Sequence, residues 1–298
     1  MIGRYRDATA LRQALEARLM HEADDTSTDL ARRRRLVVFD RVAARLSADL
    51  TAGWVLKGGA VLEFRLRSRA RTTKDLDLAT RPDGDPELDG PAVRELLIDA
   101  LAVDEDGDGF LFQVSPPVSL KADIAGRGGW RFSVESRLAG KIFATVRIDV
   151  VARGEEISLT EQLPLPNLLD FAGTPPRSIE AVDRRQHFAE KAHAFTRDYG
   201  DRPNTRVKDL VDLVLLIESG LPADPALADA VQHVFAVRAT HPVPDVLPDP
   251  PPTWADIYPG LAEGLTQTPP RLDAALHLVR GFWAVARING EADPEQKD

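Results

Sequence analysis

The sequence predicts an α+β protein, strand-rich in its first half and helical in its second. Three observations predict it: a strand, glycine-turn and helix unit near residue 58; β-branched apolar runs between residues 110 and 151; and apolar residues at helical spacing on both flanks.

Taken in order, Leu11, Leu15 and Leu19 recur every fourth residue, so residues 8 to 20 form an amphipathic helix. A second helix carries Val38, Val42, Leu46 and Leu50 down one face, with Ser27 or Thr28 as its cap. Its tract Arg32 to Arg35 spreads around more than one side, which suits a solvated face with acidic partners better than an RNA contact. Trp54-Val55-Leu56 reads as a buried strand. Gly58-Gly59 breaks it, and Ala60 to Leu66 starts a helix. Leu76-Asp77-Leu78-Ala79 is a second strand, and the period of two puts Asp75 and Asp77 on one face of it. Between these strands Arg65, Arg67, Arg69 and Arg71 alternate. An extended link would give them one shared side, a track for RNA phosphates; the other reading is a solvated basic loop.

A loop rich in Asp, Gly and Pro follows from Pro82 to Pro91, then a helix over Val93 to Leu101. Asp104 to Gly109 imitates the start of a calcium loop but lacks the glutamate at its twelfth position, so it reads as an acidic turn. Strands are expected at Phe110 to Val114, Trp130 to Val134 and Phe143 to Val151. The last contains Asp149 among β-branched residues, where a carboxylate needs a metal or an ion pair with Arg147 or another arginine. The proline-marked stretch Pro164 to Pro176 ends the strand-rich part, giving expected domains of 1–165 and 166–298, the second completing the active site. The remainder reads as helical: one helix capped by Ser178 and carrying Ile179, Val182, Ala189, Ala192 and Phe195, with Lys191 on it; one capped by Asn204 or Thr205, with Asp209 and Asp212 on adjacent positions of a face; and two more at about 225 to 239 and 270 to 288.

Composition narrows the function. With 43% hydrophobic and 29% charged residues the chain is globular, and no apolar run approaches the roughly 18 residues of a membrane span. The N-terminus lacks an apolar signal core, so a cytoplasmic protein is expected. The absence of Cys removes thiolate metal sites and Cys nucleophiles. A net charge of −9 argues against coating nucleic acid by bulk electrostatics.

Clustered carboxylates together with a glycine turn at a helix start suit phosphoryl or nucleotidyl transfer, in which cations neutralise a polyphosphate and hold attacking and leaving oxygens in line. Asp75, Asp77 and Asp149 have the character of a Mg²⁺ (or Mn²⁺) site, while Gly58 and Gly59 allow close backbone approach to a triphosphate. Lys191 is then a cation for phosphate charge, and Asp212 orients that lysine, the sugar or the base.

The ordered set Gly58-Gly59, Arg71-x-Thr73-Lys74-Asp75-Leu76-Asp77, Glu190-Lys191 and Arg206-x-Lys208-Asp209-x-x-Asp212-Leu213 resembles the AbiEii nucleotidyltransferase-like toxin family, which includes the MenT toxins. The resemblance spans about residues 50 to 220. It implies a DNA polymerase β-type nucleotidyltransferase core with a helical C-terminal part, and a toxin held in check by a separately encoded AbiEi-type antitoxin. It also implies transfer of a nucleotide from an NTP to the 3′ end of tRNA, which blocks translation. Carried over by residue, Thr73 takes the Ser/Thr position two before the first metal Asp, Asp75 and Asp77 the metal positions, Lys191 the essential lysine and Asp212 the distal acid. With the reading of the residues beside it, Asp75, Asp77, Lys191 and Asp212 are expected to be catalytic, Asp75, Asp77 and Asp149 to hold metal, and Lys57, Gly58, Gly59, Thr73, Lys191 and Asp209 to contact the nucleotide. Polymerase β-type enzymes usually have Gly-Ser at the turn, and many relatives a Thr where Ala60 stands here. Phosphate binding therefore depends more on backbone N–H groups, Lys57 and Thr73. The alternatives are the same core acting on a protein or small molecule, a nucleotide-binding regulator without turnover, and a metal-dependent ribonuclease.

Overall fold

The computed structural model describes residues 4–26, 29–49, 52–80, 88–120, 128–151 and 154–291. The chain divides into two compact units, one drawn from Met1–Arg65, Thr72–Gly154 and Gln162–Ala181, the other from Leu66–Arg71, Glu155–Glu161 and Val182–Asp298.

In the first unit, α1 (Ala8–Thr26) buries the expected Leu11, Leu15 and Leu19, and α2 (Leu30–Ala48) buries Val38, Val42 and Leu46. The expected caps Ser27 and Thr28, like Leu50, lie outside the described residues. The cap that is described is Asp29, whose carboxylate accepts from the Ala31 N–H at 2.9 Å. Of the arginine tract, Arg32 pairs with Glu63, Arg33 with Glu22 and Arg34 with Glu16, so this is a paired surface. The acidic turn also has a structural task. Fully buried Arg41 is held by Asp40, Asp106 and Asp108, and Arg45 by Asp104 and Asp108, so the turn supplies countercharge to α2.

β1 (Trp54–Lys57) runs into α3 (Gly58–Leu66), and β2 (Asp75–Thr80) returns antiparallel to β1 with Lys57 opposite Asp77. After α4 (Gly90–Ala102) come β3 (Phe110–Val114), β4 (Val118–Leu120), β5 (Gly129–Leu138) and β6 (Lys141–Val151), then β7 (Thr160–Pro164) and β8 (Ser178–Val182). The sheet order is β3-β5-β6-β2-β1-β8-β7, with β4 also on β5. It is mixed: β6 lies parallel to β2 and β8 parallel to β1. Period-two burial sorts the faces. Leu76, Leu78, Phe132, Ile148 and Val150 are buried in the core, where α2 and α4 pack on the sheet, whereas Asp75, Asp77, Arg131, Arg147 and Asp149 are half-buried or exposed.

The second unit holds α5 (Arg184–Thr196), α6 (Val207–Glu218), α7 (Pro225–Arg238), α8 (Trp254–Ala262) and α9 (Leu272–Glu291). Two expectations need correction, and one helix was not expected. Ser178, Ile179 and Val182 belong to strand β8 and not to a helix; α5 starts at Arg184, capped by Asp183, because this segment supplies the parallel neighbour of β1, with Ala181 opposite Leu56. Helix α8 falls in a stretch to which the sequence assigned no element, its Pro259 and Gly260 disguising the i, i+4, i+8 pattern of buried Trp254, Tyr258 and Ala262. The arginine link is not extended either. Arg65 lies in the last turn of α3 and Arg67–Arg69 form a 3₁₀ turn, so the four arginines do not alternate along one side. No described helix is long and apolar enough to cross a membrane.

Candidate active site

The carboxylate group of the first unit is built by register. On β2, Asp75 and Asp77 share a face, and the parallel pairing of β6 sets Asp149 beside Asp77 and Arg147 beside Asp75. Gly58, at the β1–α3 turn, has φ +65°, and a Cβ added to it would lie 2.0 Å from Asp77 Oδ2. The turn is therefore glycine for two reasons, a left-handed backbone and the close seat of this carboxylate. Lys57 and Ala60, either side of the glycine pair, are buried. Thr73 is tied in from both ends: its hydroxyl donates to the Asp75 carbonyl at 3.2 Å, and its N–H to Glu63 at 3.3 Å. Burial holds the Glu63 carboxyl above its ordinary range, against the pull of Arg32. The sequence reading did not use Glu63; its signal was a lone acid on the buried face of an apolar helix.

Each outer acid of the trio has a guanidinium on it. Arg147 donates from Nε to Asp75 at 2.5 Å, and Arg131, across the β5–β6 pairing, makes a two-pronged contact with Asp149 at 2.7 and 2.6 Å. Arg131 is a residue the sequence reading missed. Among the described residues no three His, Cys, Asp or Glu side chains converge as a metal-binding group, and Asp149 is engaged by Arg131. The hard oxygens of Asp75 and Asp77, with Asp77 cradled against a glycine backbone, are the donor chemistry that Mg²⁺ or Mn²⁺ takes.

The second unit contains a compact ion cluster. Lys191 Nζ on α5 lies 2.8 Å from Asp209 and 2.8 Å from Asp212 on α6, and fully buried Asp212 also receives both prongs of Arg71 at 2.7 Å. The three-residue spacing on α6 points both acids at one ammonium. Burial by itself would neutralise these groups, but the partners prevail. Lys191 is held above the ordinary lysine range by Asp209 and Asp212, and Asp212 below the ordinary carboxylate range by Lys191 and Arg71. Lys191 is thus a fixed cation. Of the arginines read as an RNA track, Arg71 is engaged by Asp212 and Arg69 pairs with Glu218 at 2.7 Å.

A model of the family described as the AbiEii toxin nucleotidyl transferases of type IV toxin–antitoxin systems matches residues 41–278. Among solved structures, MenT4, a nucleotidyltransferase toxin from Mycobacterium tuberculosis H37Rv, is similar with a TM-score of 0.57 at 19% identity, covering 91% of this chain and 89% of that one. An antigenic nucleotidyltransferase-like protein from Paracoccidioides brasiliensis gives a TM-score of 0.43 at 15% identity over 68% of this chain and 88% of that chain. The likeness to MenT4 is one of fold: the mixed sheet with flanking helices is a nucleotidyltransferase fold. A search of curated proteins gives no match.

Proposed function

The chain belongs to the AbiEii nucleotidyltransferase toxin family of type IV toxin–antitoxin systems, and from that premise we propose that it transfers a nucleotide from an NTP to the 3′-hydroxyl of tRNA, with Mg²⁺ or Mn²⁺ as cofactor. The observation that carries this reading is the placement of Asp75 and Asp77 on one face of β2, with Asp77 seated against Gly58. The bond formed joins the acceptor oxygen to the α-phosphorus, and the bond broken releases pyrophosphate. Asp75 and Asp77, with Asp149 beside Asp77 on β6, would hold the divalent ion, which would supply charge neutralisation and alignment of the two oxygens. The chain's own groups do the rest. Backbone N–H groups of the turn at Gly58 and Gly59, with Lys57 and Thr73, bind phosphate oxygens. Lys191, fixed and charged between Asp209 and Asp212, offsets the negative charge of the leaving phosphates; Asp212 positions Lys191. The family implies a separately encoded antitoxin, and an AbiEi-type protein is the partner we assign to it.

Incubation with labelled NTP, Mg²⁺ and total tRNA is expected to label tRNA, and Asp75→Ala to reduce the rate by at least about 100-fold, the scale of losing a principal electrostatic contact in transfer chemistry. Absence of label on RNA with all four NTPs would overturn the tRNA reading. Label that survives RNase in a whole lysate would instead place the acceptor among proteins.

A further inference from the structure

Two cations of the chain already occupy the acids assigned to metal. Arg147 sits on Asp75, Arg131 grips Asp149, and all four groups lie on the same face of strands β5, β6 and β2. The Arg147–Asp75 pair, 46% and 28% exposed, is solvated and of the kind whose net worth is small, whereas the two-pronged Arg131–Asp149 pair is part-buried, with Asp149 15% exposed. Arg131, a permanent cation, lies on Asp149 and on the strand face that also carries Asp75 and Asp77, so it faces the charge of the whole trio. A divalent ion arriving at these carboxylates competes with the guanidiniums for the same oxygens and repels what it displaces. A displaced guanidinium on this face has a planar fork of donors suited to phosphate oxygens.

We propose, resting on the metal reading above, that Arg131 and Arg147 are substrate-phosphate residues, stored as counter-ions on Asp149 and Asp75 until metal takes those carboxylates and frees them for the nucleotide's phosphates. The acids are then neutralised in both states, by guanidinium before the cofactor arrives and by metal afterwards. A purely structural ion pair predicts no competition with metal and no contact with nucleotide.

The test is Mn²⁺ titration of the full chain without nucleotide, followed by electron paramagnetic resonance, and then fluorescent-NTP binding at saturating Mn²⁺. Removing an exposed competing ion pair is expected to tighten Mn²⁺ binding by about 1.5- to 5-fold in Arg147→Ala, and removing the two-pronged pair to tighten it by at least as much in Arg131→Ala. NTP affinity at saturating Mn²⁺ is expected to fall by about 10-fold or more, the scale of a charge-assisted hydrogen bond. Arg147→Lys keeps the charge and is expected to stay nearer the wild type in both measurements. Unchanged Mn²⁺ affinity in both alanine variants, or wild-type NTP affinity in both, overturns the proposal. Asp75→Ala separates the two readings: if it loses Mn²⁺ while the arginine variants are unaltered, only the arginine role falls; if it binds Mn²⁺ like the wild type, the metal assignment falls too.

Discussion

Gly58 is where one methyl group would do most damage to the acid face. At φ +65°, with Asp77 Oδ2 at 2.0 Å from the position of a Cβ, Gly58→Ala has to strain the backbone and push the carboxylate away. The expected outcome is a loss of about 1–3 kcal/mol in urea unfolding, together with weakened Mn²⁺ binding. A variant that unfolds earlier but binds Mn²⁺ normally would show that Asp77 is not a ligand. Gly58-Gly59 and the Asp75/Asp77 pair were legible in the sequence because their geometry is local: a turn between apolar runs, and the two-residue period of a strand. The partner of Asp149 was not. An arginine was an expected alternative, but Arg147, two residues away, reaches across to Asp75 instead, and Arg131 comes from β5 through a register with an irregularity at Ser136/Arg137. No spacing rule within one strand contains that register.

Helix α5 presents Lys191, and its first turn is set by Asp183, whose carboxylate accepts from the N–H groups of Arg185 at 2.7 Å and Gln186 at 3.0 Å. Asp183→Ala is expected to cost about 1 kcal/mol by chemical denaturation. A loss below the error of that measurement would mean that tertiary contacts, and not the cap, fix where α5 begins. The helix itself was legible, but its cap was placed five residues early, at Ser178 instead of Asp183. Ile179 and Val182 fit helical spacing, yet the edge of β1 needed a parallel partner, and pairing along β8 outweighed the local pattern. In α8 the reverse held: Pro259 and Gly260 argue against a helix, and burial of Trp254 and Tyr258 overrides them.

Across the whole molecule, acid sensitivity has an identifiable source in the second unit. His193 is 2% exposed, with Thr240 at 2.8 Å from Nε2 and Arg238 at 3.3 Å from Nδ1; burial first, then the charge of Arg238, pushes its pKa down to about 3. His241 and Arg197 act in the same direction, and Glu156 opposes them. The folded value lies below the unfolded value of about 6.5, so the unfolded chain takes up the proton first. Stability is therefore complete above about pH 6.5 and is lost as pH falls towards 3, with a slope of up to about 1.4 kcal/mol per pH unit from this one group. Urea midpoints between pH 7 and 5 are expected to fall in the wild type and to fall less steeply in His193→Gln; parallel curves would remove His193 as the cause. By itself the sequence determined the α+β character, the order of most elements, the acid pair, the glycine turn, and the placing of Asp209 and Asp212 on one face of α6, because helix and strand periods bring near neighbours onto one face without help from the rest of the chain. The tertiary structure alone decided that Arg71 is bound to Asp212, that Lys191 lies between Asp209 and Asp212, that Arg131 and Arg147 lie on Asp149 and Asp75, and that Ser178–Val182 is a strand, since each depends on residues distant in sequence brought together by sheet register and helix contact.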